Sequence, residues 1–219
     1  GFIISPDGYI LTNYHVIEDA NEGGYDITVL TYDGTKYTAS IVGYEQGNDI
    51  AVLKIEASGL DAVTIGDSDS MSVGDTVYAV GNPLGELQYT MTSGMVSALD
   101  RDISSTDQTT GVVTTISMFQ IDAAVNSGNS GGPVYNSRGE VIGVVTAKYS
   151  STGVEGLGFA IPINDAVSIA TELISNGYVT GKAYMGVYAQ TITSAAAQYY
   201  NMVEGAYVYQ VAEGSCAEK

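Results

Sequence analysis

From Phe2 onward the sequence breaks into short β-branched or alternating runs. They are FIIS (2–5), YILTN (9–13), DITVLTY (26–32), YTASIVGYE (37–45), DIAVLKI (49–55), TVYAVG (76–81), YTMTSGMVSAL (89–99), FQIDA (119–123), VIGVVTA (141–147) and LGFAIPI (157–163). Turn chemistry separates many of them: Pro6-Asp7-Gly8, Asp33-Gly34 and Asn136-Ser137-Arg138-Gly139. Short runs of this kind bury alternate side chains on a pleated surface, so they predict an all-β barrel or sandwich. One segment has the helical period instead. NDAVSIATELISNG (164–177) puts Ala166, Val167, Ile169, Ala170, Leu173 and Ile174 on one face, with Asn164 as N-cap and Gly177 as terminating glycine. A single amphipathic helix closing a β-rich body predicts a domain end near residue 180.

Partners are narrowed by charge. With 7 basic and 25 acidic residues the net charge is -18, which repels phosphate backbones and anionic lipid; no nucleic acid is expected to bind. The single cysteine, Cys216, excludes an intrachain disulfide and leaves the compartment open. DSDSMSVGD (67–75) opens like a calcium loop, but Tyr78 stands where the closing glutamate should be, so a solvated connector is expected and no metal site. No cofactor is expected either.

The densest local signal is NSGNSGGPVYN (126–136), with glycines crowded around Ser130. A serine hydroxyl becomes a nucleophile only when a base removes its proton and an acid orients that base. His15, in LTNYHVI, is the one histidine of the chain. A lone histidine among apolar residues is in most proteins a packed side chain, so His15 alone decides little. Asp49 opens the apolar run DIAVLKI, an awkward place for a charge without a partner. An ordinary strand-start aspartate would look the same. Gly128-Asn129-Ser130-Gly131-Gly132 satisfies the G-x-S-x-G form of α/β-hydrolases. Those enzymes need a histidine after the serine, and here the order is His15, Asp49, Ser130. That order fits the β-barrel serine proteases.

Together TNYHVI, NDIAVLKI, IGDSDSMSVGDTVYAVGNPLG, MTSGMVSAL, QIDAAVNSGNSGGPVYN and GEVIGVVTAKYSSTGVEGLGFAIPI resemble the HtrA/DegP branch of the trypsin-like serine proteases, across residues 1–180. Tyr14 stands where that family usually has asparagine, and Ser127 where it often has proline. The resemblance implies two antiparallel six-stranded β-barrels with a C-terminal helix, the family's first strand being expected upstream of residue 1. It implies His15, Asp49 and Ser130 as the catalytic residues and the N–H groups of Gly128 and Ser130 as the oxyanion hole. Ala124, Val125 and Asn126 would line the substrate pocket. Without a carboxylate there, small or medium aliphatic P1 residues are expected rather than Lys or Arg. The implied activity is endoproteolysis of unfolded or misfolded proteins in extracytoplasmic quality control. The resemblance implies a full-length protein that is a homotrimer and is secreted, periplasmic, cell-surface or membrane-anchored. A catalytically silent protease-like holdase is the competing reading.

Residues 181–219 resemble the start of a PDZ domain, with YMGV (184–187) matching a carboxylate-binding loop. So short a piece cannot close a core of its own, and partial disorder, or packing on the protease or a neighbour, is expected. Two Ser/Thr/Gly-rich stretches, 99–115 and 147–156, are expected as loops, and the resemblance implies them as the partners whose ordering controls the oxyanion loop.

Overall fold

The computed structural model describes residues 1–85, 87–106, 113–147, 156–181 and 185–218. The chain divides into two compact units, one formed by Gly1–Ile103 with Thr115–Val179, the other by Ser104–Thr114 with Thr180–Lys219.

The first unit opens with β1 (Phe2–Ile3), β2 (Tyr9–Thr12), α1 (Tyr14–Gly23), β3 (Ile27–Leu30), β4 (Lys36–Glu45) and β5 (Ile50–Ile55). These strands pair antiparallel in the order β1-β2-β5-β4-β3. The Asp33-Gly34 turn joins β3 to β4. Gly34 takes φ +83°, and the Asp33 carboxylate accepts from Thr31 Oγ1 at 2.6 Å and Thr35 N at 3.0 Å. Those bonds hold the Asp33 carboxyl below its ordinary pKa.

A second sheet follows: β6 (Thr64–Ile65), β7 (Thr76–Gly81), β8 (Thr90–Thr106), β9 (Val113–Ile121), β10 (Pro133–Asn136), β11 (Glu140–Val145) and β12 (Gly158–Pro162). Its order is β10-β7-β8-β9-β12-β11-β6, and β10 also pairs with β11. That extra pairing closes six strands into a ring, with β6 added in parallel on β11. The second barrel therefore has the six strands expected. The first sheet has five, and β1 and β3 are its unpaired edges. A groove of about 640 Å³ lies on that open side, lined by Phe2, Ile10, Ile27, Val29, Tyr32 and Tyr89 among others.

α2 (Ile163–Asn176) packs Ile163, Ala166, Ala170 and Leu173 into a core shared with Leu11, Val52, Met118 and Val144. Both sheets contribute to this one cluster, so the helix ties the barrels together. Gly177 ends α2 at φ +80°, its N–H donating to Leu173 O at 2.9 Å. The other end differs from expectation. Helix α2 starts at Ile163, so Asn164 lies inside it, and its N–H donates to Ser68 Oγ at 3.1 Å. Asn164 returns the contact through Oδ1 to Ser68 N at 3.3 Å and through Nδ2 to Asp67 Oδ1 at 2.8 Å. The cap comes from residues about a hundred positions away in sequence, which no local pattern reveals.

Residues 99–106 and 113–115 are strand, not loop: β8 and β9 run on through them. The rest of that stretch, 107–112, and 148–155 of the second lie outside the described residues, as does Tyr184. In the second unit, β13 (Val187–Ile192) and β14 (Gly205–Val211) pair antiparallel, with α3 (Ser194–Tyr200) between them in sequence. Ordered elements thus occur where partial disorder was expected.

Candidate active site

β2 ends at Thr12, and the chain turns through Asn13 into α1, which places His15 in the first helical turn. Asn13 forms no side-chain cap. Capping comes from Asp49, which follows a single 3-10 turn at Gln46–Asn48 and holds φ +55°, a left-handed conformation that aspartate tolerates better than most residues. Its carbonyl accepts from Asn13 Nδ2 at 2.9 Å and from Tyr14 N at 3.2 Å. Its carboxylate accepts from His15 N at 3.0 Å and from His15 Nδ1 at 2.8 Å. The aspartate is buried, with 3% of its side chain exposed, against 20% for His15. A buried carboxylate is stable only when its lone pairs are taken up, and here helix, imidazole and the Thr146 hydroxyl (3.3 Å) take them up together. Since a carboxylate can only accept, Nδ1 carries the proton and Nε2 presents its lone pair.

Ser130 sits in the turn between β9 and β10. Its Oγ accepts from Ala147 N at 3.1 Å, one residue beyond Thr146. Asp49, Thr146, Ala147 and Ser130 are therefore linked in a chain of contacts, with His15 on the far side of Asp49. No hydrogen bond joins His15 to Ser130 among the described residues, while the serine oxygen accepts from the Ala147 amide. Such bonds are often long before substrate arrives. Gly128 holds φ +99°, and the N–H groups of Gly128 and Ser130 donate to no acceptor among the described residues. Neighbouring amides do find partners: Asn129 N on Asn126 O (3.0 Å), Gly131 N on Val145 O (2.9 Å) and Gly132 N on Asn129 O (2.9 Å).

Of the residues expected to line a substrate pocket, Ala124 is exposed, and its carbonyl accepts from Thr92 Oγ1 at 2.9 Å and Asn129 Nδ2 at 3.3 Å. Val125 packs toward Gly158, where a Cβ would stand 2.7 Å from Val125 Cγ2. Asn126 contributes its carbonyl to the Asn129 amide. The groove beside β1 and β3 includes none of His15, Asp49 and Ser130. Among the described residues no cluster of three or more His, Cys, Asp or Glu side chains is placed to hold a metal ion. Sequence reading did not single out Thr146 or the Ala147 amide. A main-chain donor has no residue signature, and Thr146 lies inside an apolar run that reads as core.

A family model described as "Trypsin-like peptidase domain" matches residues 1–144. The chain belongs to the trypsin-like peptidases. Its relatives put it in the HtrA/DegP branch of that family. A probable periplasmic serine endoprotease, DegP-like, of Chlamydia trachomatis is 47% identical over all of this chain and 42% of the relative. The serine protease Do-like HtrA of Bacillus subtilis is 41% identical over 96% of this chain and 48% of the relative. The solved HtrA-type protease AlgW with a decapeptide superposes with a TM-score of 0.73 at 36% identity, covering 99% of this chain and 64% of that one. The chain thus spans less than half the length of both relatives.

Within the trypsin-like frame the two departures are harmless to the geometry. Tyr14 is buried and stacks on Tyr44, ring centroids 4.7 Å apart at 30°, while only its main-chain N–H reaches Asp49. Ser127 is exposed in the turn before Gly128. This HtrA-type chain also uses its glycines for contact behind Ser130: a Cβ on Gly131 would stand 2.2 Å from Thr12 Oγ1, and one on Gly132 2.1 Å from Val80 O.

Proposed function

We propose that this chain is the peptidase portion of a serine endopeptidase of the HtrA/DegP type. Residues 1–180 would form the protease domain and residues 181–219 the opening part of a PDZ domain. Ser130 is the nucleophile, His15 the base, Asp49 the group that orients and stabilises the imidazolium, and the Gly128 and Ser130 amides the oxyanion hole. What chiefly supports this is the 2.8 Å contact between the His15 Nδ1 and the buried Asp49 carboxylate, because it leaves Nε2 free to accept a proton.

The reaction follows from those roles. Ser130 Oγ turns from the Ala147 amide toward Nε2, loses its proton to it and attacks the peptide carbonyl. Negative charge develops on the carbonyl oxygen, which the two free N–H groups stabilise, each worth roughly 3–4 kcal/mol in the transition state. The imidazolium then protonates the departing amine and leaves an acyl-enzyme on Ser130. Water, activated by the same imidazole, releases the acid and restores the serine. Ala124, Val125 and Asn126 would form the wall of a pocket without a carboxylate, suited to small or medium aliphatic P1 side chains. Substrates would be unfolded or misfolded proteins, in an extracytoplasmic setting, a location drawn from the word "periplasmic" in the names of relatives. The full-length protein would be a homotrimer.

The test compares casein hydrolysis by the parent chain and by Ser130→Ala, together with mapping of the residue labelled by a fluorophosphonate. Loss of the serine should lower turnover by roughly six orders of magnitude, and the label should sit on Ser130. Equal turnover in both proteins, or a label elsewhere, would leave the holdase reading in its place.

A further inference from the structure

The loop that carries Ser130 lies main chain against main chain on the end of β7. Asn82 N donates to Gly128 O at 3.0 Å. A Cβ on Gly81 would stand 2.7 Å from Asn129 Cα and 2.3 Å from its Oδ1. One on Gly128 would stand 2.2 Å from Asn82 O, and one on Gly132 2.1 Å from Val80 O. Three glycines on two segments are thus spent on a single backbone contact. Gly81 does not have a positive φ, so space and not conformation requires glycine there. Asn82 and Asn129 each also carry a buried side-chain oxygen with no partner among the described residues.

We infer that Gly81, Asn82 and Pro83 are positioning residues that aim the amide donors beside Ser130, an inference that rests on the peptidase reading. The peptide between Gly128 and Asn129 is tied at both ends, its oxygen to Asn82 N and its N–H to Asn126 O. The next peptide, which carries the Ser130 N–H, is tied by Gly132 N on Asn129 O. Of these three ties, only the one to Asn82 comes from outside the 126–132 loop; it fixes the Gly128 side, while Gly131 N on Val145 O and Val145 N on Gly132 O fix the far side to β11. Pro83 restricts the residue before it to extended backbone, which limits the directions the Asn82 N–H can take. Among the described residues none of the three hydrogen-bonds to His15 or Asp49, so their influence on rate passes through the loop.

The experiment measures kcat and KM on a fluorogenic peptide with an aliphatic P1 residue, inhibition by a peptide boronate, and the pH profile. The variants are Gly81→Ala and Pro83→Ala. In Gly81→Ala the new methyl collides with the Asn129 backbone, and kcat should fall roughly 10- to 100-fold, part of the loss expected for a missing oxyanion donor. KM should stay within about 3-fold, boronate affinity should weaken in step with kcat/KM, and the shape of the pH profile should not move. Pro83→Ala only loosens Asn82 and should lower kcat about 3- to 10-fold in the same pattern. If Gly81→Ala shows no cooperative melt, Pro83→Ala decides alone. A kcat within about 2-fold of the parent in every folded variant overturns the inference, as does a loss shared equally by KM or accompanied by an altered pH profile. A parent chain that neither turns over nor labels at Ser130 instead defeats the peptidase reading, and this inference with it.

Discussion

Asp49 carries two duties on one carboxylate, and they can be separated. One oxygen holds the His15 amide and so caps α1; the other holds the imidazole Nδ1. In Asp49→Asn the amide oxygen can still accept the His15 N–H, and asparagine tolerates φ +55° as well as aspartate does. The amide NH2 that replaces the second oxygen can only donate toward Nδ1, so it favours the other tautomer of the imidazole and supplies no counter-charge. Activity should fall by roughly four orders of magnitude while the melting temperature stays within about 2 °C of the parent. Thermal melts and peptide hydrolysis on the same preparation check both halves. A large drop in melting temperature would mean that the charge itself holds the helix.

The same long-range capping recurs at α2, and it explains which elements the sequence disclosed. Helix α2 was legible because its apolar stripe has the right period and Gly177 ends it; its first residues were misplaced because the cap is Ser68, supplied by another part of the chain. α1 was not legible at all. Its ten residues bury only Tyr14 and Ile17, leave Val16 half exposed and place acidic Glu18, Asp19 and Glu22 toward the end where cations are favoured. Tertiary bonds to Asp49 override that poor local case. Strands β6 and β10 escaped notice because one has two residues and the other begins with proline. Ser68→Ala should strip the amide of Asn164 of its acceptor and cost about 1 kcal/mol, lowering the melting temperature by about 2–4 °C. Turnover of a small peptide should not change, since Ser68 lies against α2 and not against the Ser130 loop. Differential scanning calorimetry of the variant beside the parent measures the first, steady-state kinetics the second.

At the scale of the whole molecule, the residues that sequence order singled out and the contacts that hold them belong to different kinds of information. His15, Asp49 and Ser130 stand out because their types are chemically unusual in their surroundings. What holds the Ser130 loop in place is backbone: Ala147 N on Ser130, Asn82 N on Gly128, a glycine wherever a methyl would collide. Composition, by contrast, was plain from the start and has a consequence for turnover. A net charge of -18, from 25 acidic and 7 basic residues, surrounds any approaching polypeptide with negative potential. That potential reaches about 30 Å at 0.01 M salt and about 8 Å at 0.15 M. An anionic unfolded substrate should therefore be repelled at low salt and bind better as salt is added, so its KM should fall over that range. A cationic unfolded substrate should show the opposite trend, its KM rising as attraction is screened. The chemistry proposed for Ser130 lies downstream of encounter, so kcat should be flat for both. Measuring the two substrates in parallel separates field from site: KM values that move together with salt would reflect substrate compaction, and only opposite slopes assign the effect to the charge of this chain.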